Sequence, residues 1–484
     1  MQANHPPSLR IFFGTEMWER YGFYVVQTLL ALYLSLHFKW PDNKIYPLVG
    51  SFTALNYISP IVGGWIADRL LGQKRTILCG TVILFISYLC LSFIHSNEMF
   101  LLMLAGIAVG TGLLKPNISS LLGNEYPANA SNRESGFTIF YMGISSGIIL
   151  GTTIPSYINQ LFGWSTTFLS AAVGMLFAFI IFSFGIYRYR MTDYYVYKAQ
   201  FKHILYAIIL VIILWLSSFY ILNDPVLAND VFIAVVLVSL TYLVITVMRE
   251  TPHQRKHTII IGLLCLISVM FWAFYFQMFL SLTLLLKRIA QPCLLGIDFP
   301  PPYYVAIQSL GMIIFGSLLA HRKRNSTVTE QSVLIGNKFL LAMGLMCVAY
   351  LLIVLSCQIG APNALISPWR IIPAYLFISI AELLLSPVGL AAITMLASHK
   401  KVSTMMGIFF VSLGLGGFLS GKLAAYTSLA KQQTKLMSIS ELKIHYMISF
   451  KHLFYWLLIA TLICVLLNQI IRRLIFYRVE LRSS

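Results

Sequence analysis

The sequence predicts an all-α polytopic membrane protein with about fourteen transmembrane helices, and three observations carry that reading. Of 484 residues, 58% are hydrophobic and only 10% charged, where a soluble domain carries about a quarter charged residues. The apolar residues fall into runs of about 20, the length that crosses a bilayer at a helical rise of about 1.5 Å per residue. The cations gather in short loops between those runs, where a membrane protein keeps its topology signal. This composition excludes a soluble enzyme and a disordered chain. It also excludes a nucleic-acid-binding domain, despite a formal net charge of +18.

In chain order, the first six predicted spans are Phe12–Phe38, Tyr46–Ala67, Thr76–Ile94, Met99–Leu122, Phe137–Leu161 and Thr166–Tyr187. A pair follows at Ile204–Leu222 and Val231–Val247, free of charged residues and flanked by basic linkers. The last six are Thr258–Leu286, Tyr303–Ala320, Ser332–Cys357, Ile371–Ala397, Ser403–Leu429 and His452–Ile471. An even number of spans puts both termini on one side. Loops on that side hold 22 Lys and Arg against ten on the other, so the termini are expected in the cytoplasm. The last outer loop departs from this pattern, with Lys422, Lys431, Lys435, Lys443 and Lys451 in or beside it.

The organisation is therefore six spans, a pair, then six more. The expected boundaries are residues 1–188 for an N-terminal six-helix bundle, 189–256 for a linker carrying the extra pair, and 257–484 for a C-terminal six-helix bundle. Two six-helix halves around a midplane site resemble the layout of the major facilitator superfamily, and the uncharged pair is expected outside the bundle.

No cleavable signal is expected ahead of the first span, because Met1 to Arg10 is polar and acids follow at once. Of seven cysteines, Cys79, Cys90, Cys265, Cys347, Cys357 and Cys464 lie in or beside apolar runs, and Cys293 sits alone in a loop. None has a zinc or CxxC spacing, so they read as packing residues, with no metal site or disulfide framework.

An ionisable group in hydrocarbon costs at least about 2.5–3.5 kcal/mol, and those retained face a cavity or a partner. Five stand out: Glu16, Glu19, Arg20, Lys115 and Glu382. The i,i+3 and i,i+4 spacings put Glu16, Glu19 and Arg20 near one face of the first helix. Two acids crowding one cation form a coupled titrating unit, in which a proton or an incoming carboxylate changes the partner that Arg20 holds. The same spacing also suits a buried ion-pair staple between helices.

Lys115 lies roughly nine residues, about 13 Å, before the loop at Asn124. It can snorkel to the interface. Alternatively, Gly110-Thr111-Gly112 admits a neighbouring backbone and Pro116 frees the carbonyl of residue 112, giving a broken helix suited to an anion. Glu382 stands alone in the tenth span of the two halves, one turn before Pro387. It either holds an ammonium group or is a protonated, hydrogen-bonded core residue. Gly64 to Arg69 and Lys74-Arg75 fill a short inner loop, where Asp68 near a helix N-terminus and Arg69 are expected to form a gating latch. Tyr24, Tyr57, Tyr141 and Trp272 are candidate cavity linings, and equally packing or interfacial aromatics.

At these residues the sequence resembles the proton-dependent oligopeptide transporter family. The ExxER motif matches Glu16, Glu19 and Arg20, and GTGxxKPN matches Gly110 to Asn117. GGWxAD matches Gly63 to Asp68, and FYxxxxxG matches Phe140, Tyr141 and Gly147. QSL matches Gln308-Ser309-Leu310, and ExxxSPxGL matches Glu382 to Leu390. The resemblance runs through both halves.

It implies symport of di- and tripeptides with protons into the cytoplasm by alternating access, with no cofactor beyond the coupling proton. Carried over, Glu16, Glu19 and Arg20 form the proton-coupling cluster. Arg20 and Lys115 meet the peptide carboxylate, and Glu382 meets the peptide amine. Tyr24, Tyr57, Tyr141, Ser145, Gln277, Gln308 and Ser386 complete the substrate contacts. The extra pair resembles the insertion of bacterial members, and the short loop from Gln358 to Pro368 lacks the large extracellular domain of animal ones. A monomer in a bacterial inner membrane is expected.

The sequence departs from the family pattern at several places. Ser145 and Gly311 stand where asparagines are usual, Phe276 where a seventh-span glutamate is common beside Gln277, Phe409 for a tryptophan and Tyr21 for a phenylalanine. Ser145, Gly311 and Phe276 motivate one alternative, a same-fold transporter of another small molecule with amine or carboxylate groups; a different class is a receptor or sensor that keeps the fold without turnover. Neither an HExxH nor a P-loop pattern occurs, so no enzyme is expected.

Overall fold

The apolar runs fold as helices throughout the computed structural model, which describes residues 5–94, 96–126, 132–193, 201–320, 328–398, 401–430, 433 and 436–483. Of the loop cations counted above, Lys198, Arg322, Lys323, Arg324, Lys400, Lys431 and Lys435 lie outside the described residues, as do the side chains of Arg478 and Arg482.

The N-terminal helices are α1 (Leu9–Leu36), α2 (Asp42–Ile66), α3 (Gln73–Leu91), α4 (Asn97–Asn124) and α5 (Arg133–Arg188). The middle pair is α6 (Phe201–Asn223) and α7 (Pro225–Arg249). Then come α8 (Pro252–Tyr275), α9 (Ser281–Ile289), α10 (Pro302–Ala320), α11 (Val328–Gln358), α12 (Pro368–Leu396), α13 (Val402–Ala424) and α14 (Ile439–Ser483).

Eleven helices among the described residues are long and apolar enough to cross a membrane. Three departures reconcile this with the fourteen predicted spans. The helix α1 carries its Glu16, Glu19 and Arg20 cluster, and the apolar part of α10 is short. The 56-residue α5 contains both its predicted spans, separated at Gly163 by a backbone turned to φ 78°, ψ −175°. A φ of this sign costs glycine little. Conversely, one predicted span is divided into α8 and α9 by a 3-10 turn at Phe276–Phe279. The protein is a multi-pass, all-α membrane protein.

The chain forms two compact units, Met1–Tyr33 with Ser51–Ala228, and Leu34–Gly50 with Asn229–Ser484. Small residues set the first. A Cβ on Gly112 would come 2.6 Å from Ser59 Oγ, and one on Gly80 would come 2.8 Å from Gly110 O. The GTG stretch therefore lets α2 and α3 lie directly on α4, as small residues do between membrane helices. Contrary to the broken helix expected there, α4 runs unbroken through Pro116. Its neighbour Asn117 donates to Leu113 O (2.7 Å) and Gly63 O (3.3 Å), tying this stretch to α2. Largely exposed α6 docks on this unit through Trp215 Nε1, which donates to Leu102 O at 2.7 Å.

The second unit includes the tip of the α1–α2 hairpin. Arg288 Nη1 and Nη2 each donate to Asp42 at 2.7 Å, the Leu429 N–H donates to the same carboxylate at 3.0 Å, and Arg288 Nη1 also donates to Tyr446 Oη at 2.6 Å. Beside this pair the backbones of α2 and α13 touch: a Cβ on Gly50 would come 2.9 Å from Gly421 Cα. In the same unit α7 packs Phe232 on Phe418, with ring centroids 4.3 Å apart.

Three cations in or beside the last outer loop have partners among the described residues. Lys443 is buried and donates to the carbonyls of Ala361 (3.0 Å) and Ala364 (3.3 Å), while Lys422 and Lys451 lie over the rings of Phe418 and Tyr455. A small hairpin, Cys293–Leu294 with Ile297–Asp298, precedes α10, and its two-residue turn places Leu295 (φ 52°) and Gly296 (φ 79°) in the left-handed region.

Candidate functional site

In the N-terminal unit a stripe of glycines on α5 receives α1. Cβ atoms built on Gly143, Gly147 and Gly151 would come 2.9 Å from Phe13 O, 2.7 Å from Arg20 Cβ and 2.6 Å from Tyr21 O. This i,i+4 stripe lays α5 against the charged face of α1. The ionic cluster follows from that contact. Arg20 Nε pairs with Glu19 Oε2, Arg20 Nη2 donates to Glu19 Oε1 at 2.6 Å, and Arg20 Nε lies 3.4 Å from Glu16 Oε1. Glu16, Glu19 and Arg20 are 2%, 0% and 4% exposed, so their charges are balanced by each other rather than by bulk solvent.

The remaining cation, Lys115, does not turn to the helix end. Its Nζ lies 4.7 Å from the centroid of the Tyr57 ring and within Coulombic range of Arg20, Glu19 and Glu16. Four ionisable groups thus meet in one place, two acids and two bases. Glu16 Oε2 is buried with no hydrogen-bond donor among the described residues. Tyr141, largely exposed, comes within Coulombic range of Glu16. Tyr24 is half-buried against α5, where a Cβ on Gly151 would come 3.1 Å from its own Cβ. Ser145 is half-buried on the same α5 stretch.

In the C-terminal unit Glu382 accepts two hydrogen bonds on one oxygen: Tyr275 Oη donates to Oε2 at 2.7 Å and Gln308 Nε2 donates to it at 2.6 Å. Neither donor is charged. Ser386 follows one turn along α12, half-buried. Gln277 is placed differently: wholly buried, its amide donates to Ala273 O (3.2 Å) and Ser420 O (2.8 Å), and its Oε1 accepts from Ser281 Oγ (2.6 Å). Those bonds brace the 3-10 turn against α13. Phe276, next to it, is buried against Trp272, with ring centroids 5.3 Å apart.

Asp68 does not stand at a helix N-terminus. The structure carries α2 onward through a π-helical turn, Ala67–Leu71, closed by Gly72 at φ 79°, so Asp68 and Arg69 lie at the end of α2 and both are exposed. The dipole at that end favours cations, so Arg69 and not Asp68 is the charge the helix itself stabilises.

Two partners are invisible to spacing. Tyr275 reaches Glu382 from 107 residues away. Tyr88 presents a buried phenol within Coulombic range of Glu19 and Arg20, and its ring would come 3.0 Å from a Cβ on Gly22. The only sequence signal for Tyr275 is its place one turn beyond Trp272.

Residues 74–442 match the family model described as PTR2: POT family. The dipeptide and tripeptide permease A of Erwinia pyrifoliae is 30% identical over 427 residues, covering 87% of this chain and 85% of that protein. The dipeptide and tripeptide permease A of Escherichia coli is 27% identical over 431 residues, with 87% and 85% covered. A solved structure concerned with substrate recognition in proton-dependent oligopeptide transporters superposes with a TM-score of 0.83 at 25% identity, covering 96% of this chain and 99% of that one. With a family model spanning most of the sequence and relatives aligned along nearly all of both chains, this chain belongs to the POT family, a family of transporters.

Proposed function

We propose that the protein is a proton-coupled symporter that brings di- and tripeptides into the cytoplasm by alternating access. The observation that carries the reading is the charge count of the Glu16, Glu19, Arg20 and Lys115 cluster. With all four ionised, the cluster is neutral. A peptide carboxylate arriving at Arg20 or Lys115 adds one negative charge, and one proton on Glu16 or Glu19 restores neutrality. An uncompensated buried charge costs several kcal/mol, so carboxylate and proton enter together.

The C-terminal unit supplies the complementary chemistry. Among the described residues Glu382 has neutral partners only, which leaves its charge for an ammonium group. A di- or tripeptide carries one carboxylate and one ammonium, matching the two receptors. Tyr24, Tyr57, Tyr141, Ser145 and Ser386 are the proposed substrate contacts; Gln308 acts through Glu382, and Gln277 braces the 3-10 turn against α13. Arg69 with Asp68 serves in gating at the end of α2.

The relatives carrying the permease names are bacterial, which supports an inner-membrane location. We place both termini in the cytoplasm and read the working unit as a monomer without a cofactor. The functional boundaries follow the two six-helix bundles at 1–188 and 257–484, with 189–256 as the linker pair.

Proteoliposomes under an imposed proton gradient should accumulate labelled dialanine, and a panel of di- and tripeptides should compete. Phe276 and Gly311 favour one second reading, a proton-coupled carrier of a narrower amine or carboxylate, because each removes a polar side chain from the C-terminal unit. Gradient-driven uptake of such a molecule with no competition by any peptide would establish it. Ligand binding without flux would point instead to a sensor.

A further inference from the structure

The carboxylate of Glu382 is held asymmetrically. Both hydrogen bonds land on Oε2, from Tyr275 Oη at 2.7 Å and Gln308 Nε2 at 2.6 Å, and no described residue donates to Oε1. A carboxylate oxygen has two lone pairs, so two donors fill Oε2 and leave Oε1 as the acceptor with capacity to spare. Because the donors are neutral, they fix the group without cancelling its charge.

Each donor is itself fixed. Tyr275 closes α8 where the chain enters the 3-10 turn, and its ring packs edge-on to Trp272 at 4.7 Å and stacks on Phe271 at 6.0 Å. Gln308 is 2% exposed, and its own carbonyl accepts from Ser379 Oγ at 2.7 Å, which joins α10 to α12. Gly311, one turn further, permits that junction: a Cβ there would come 2.6 Å from Ser379 Oγ. The glycine that stands in place of an asparagine thus draws α10 onto α12 and brings Gln308 within reach of Glu382.

We propose that Tyr275 and Gln308 are positioning residues that clamp Oε2 of Glu382 and present Oε1 to the substrate ammonium, with Gly311 setting the helix approach that makes the clamp possible. The proposal rests on the reading of this chain as a peptide carrier. The clamp makes selectivity for a free amino group depend on two neutral side chains as well as on the acid.

The test measures Kd for dialanine and for N-acetyl-dialanine on purified full-length protein, and KM and kcat for dialanine uptake in proteoliposomes. Removing a hydrogen bond to a charged group weakens an interaction by about tenfold or more. Tyr275→Phe and Gln308→Leu should each raise Kd and KM for dialanine about tenfold, with kcat falling far less and Kd for the acetylated peptide unmoved. Gly311→Ala should give the same pattern by separating α10 from α12. A merely structural role would weaken both peptides alike. Wild type that neither binds nor accumulates dialanine overturns the peptide reading and the clamp with it. Wild type that transports dialanine while all three variants keep its ratio of affinities overturns the clamp alone.

Discussion

Lys115 Nζ lies 4.7 Å from the centroid of the Tyr57 ring, with Glu16, Glu19 and Arg20 in Coulombic range. An aromatic face holds a cation without neutralising it, so Lys115 stays available to an incoming anion. Such a contact contributes about 0.5–2 kcal/mol. Tyr57→Phe should keep the ring and stay near wild type, whereas Tyr57→Leu should raise the dialanine KM between about 2- and 30-fold. Equal KM values for the two variants would contradict the role of the ring.

The Asp42–Arg288 pair makes a prediction about stability. Removing one partner of a buried pair leaves an uncompensated charge and costs about 3–5 kcal/mol. Asp42→Ala should lower the unfolding temperature in detergent markedly, because Arg288 is only 11% exposed at its side chain and would lose its carboxylate. Asp42→Ala combined with Arg288→Met should recover much of that loss. A double variant as unstable as the single one would show that packing, not charge, dominates there.

The α5 glycine stripe predicts a positional contrast. Gly147→Ala drives a methyl group into the backbone of α1 beside Arg20 and should destabilise by about 1–3 kcal/mol while lowering uptake. Gly407→Ala meets nothing within 4 Å and should leave both unchanged or slightly improved. Thermal unfolding and dialanine uptake on the two variants check the contrast.

Much of the fold and half of the site are legible in the amino-acid sequence. Apolar run length marks the spans, and the i,i+3 and i,i+4 spacings place Glu16, Glu19 and Arg20 together, because a helix makes such contacts local. Contacts between distant segments are not legible. Tyr275 meets Glu382 across 107 residues and Arg288 meets Asp42 across 246, and no periodicity encodes either. Pro116 and Asp68 mislead for a different reason. Proline removes one hydrogen bond but does not end α4, and the π-helical turn carries α2 past Asp68 where a loop is expected. Gln277 shows the same limit: its motif neighbourhood suggests a substrate contact, while its amide is fully engaged by Ala273, Ser420 and Ser281.

Lys115 and Glu382 should also separate by ligand. Lys115→Ala should impair uptake of peptides with a free carboxylate more than it impairs binding of their amides, and Glu382→Ala should weaken ligands with a free amine. Losing one charge-assisted contact corresponds to about tenfold or more in affinity. Competition assays with dialanine, its C-terminal amide and its N-acetyl form resolve the two effects. A variant that loses all three ligands equally would argue against the assignment of poles.

In the proposed mechanism, Glu16, Glu19 and Arg20 couple a proton to the carboxylate of the cargo. The most direct measurement compares dialanine accumulation under an imposed proton gradient with dialanine counterflow at equal pH, for wild type, Glu16→Gln and Glu19→Gln in proteoliposomes. Both variants should lose gradient-driven accumulation while retaining counterflow, since the substitution removes a proton site and leaves cations for the carboxylate. Gradient-driven accumulation at the wild-type rate in both variants would contradict that coupling.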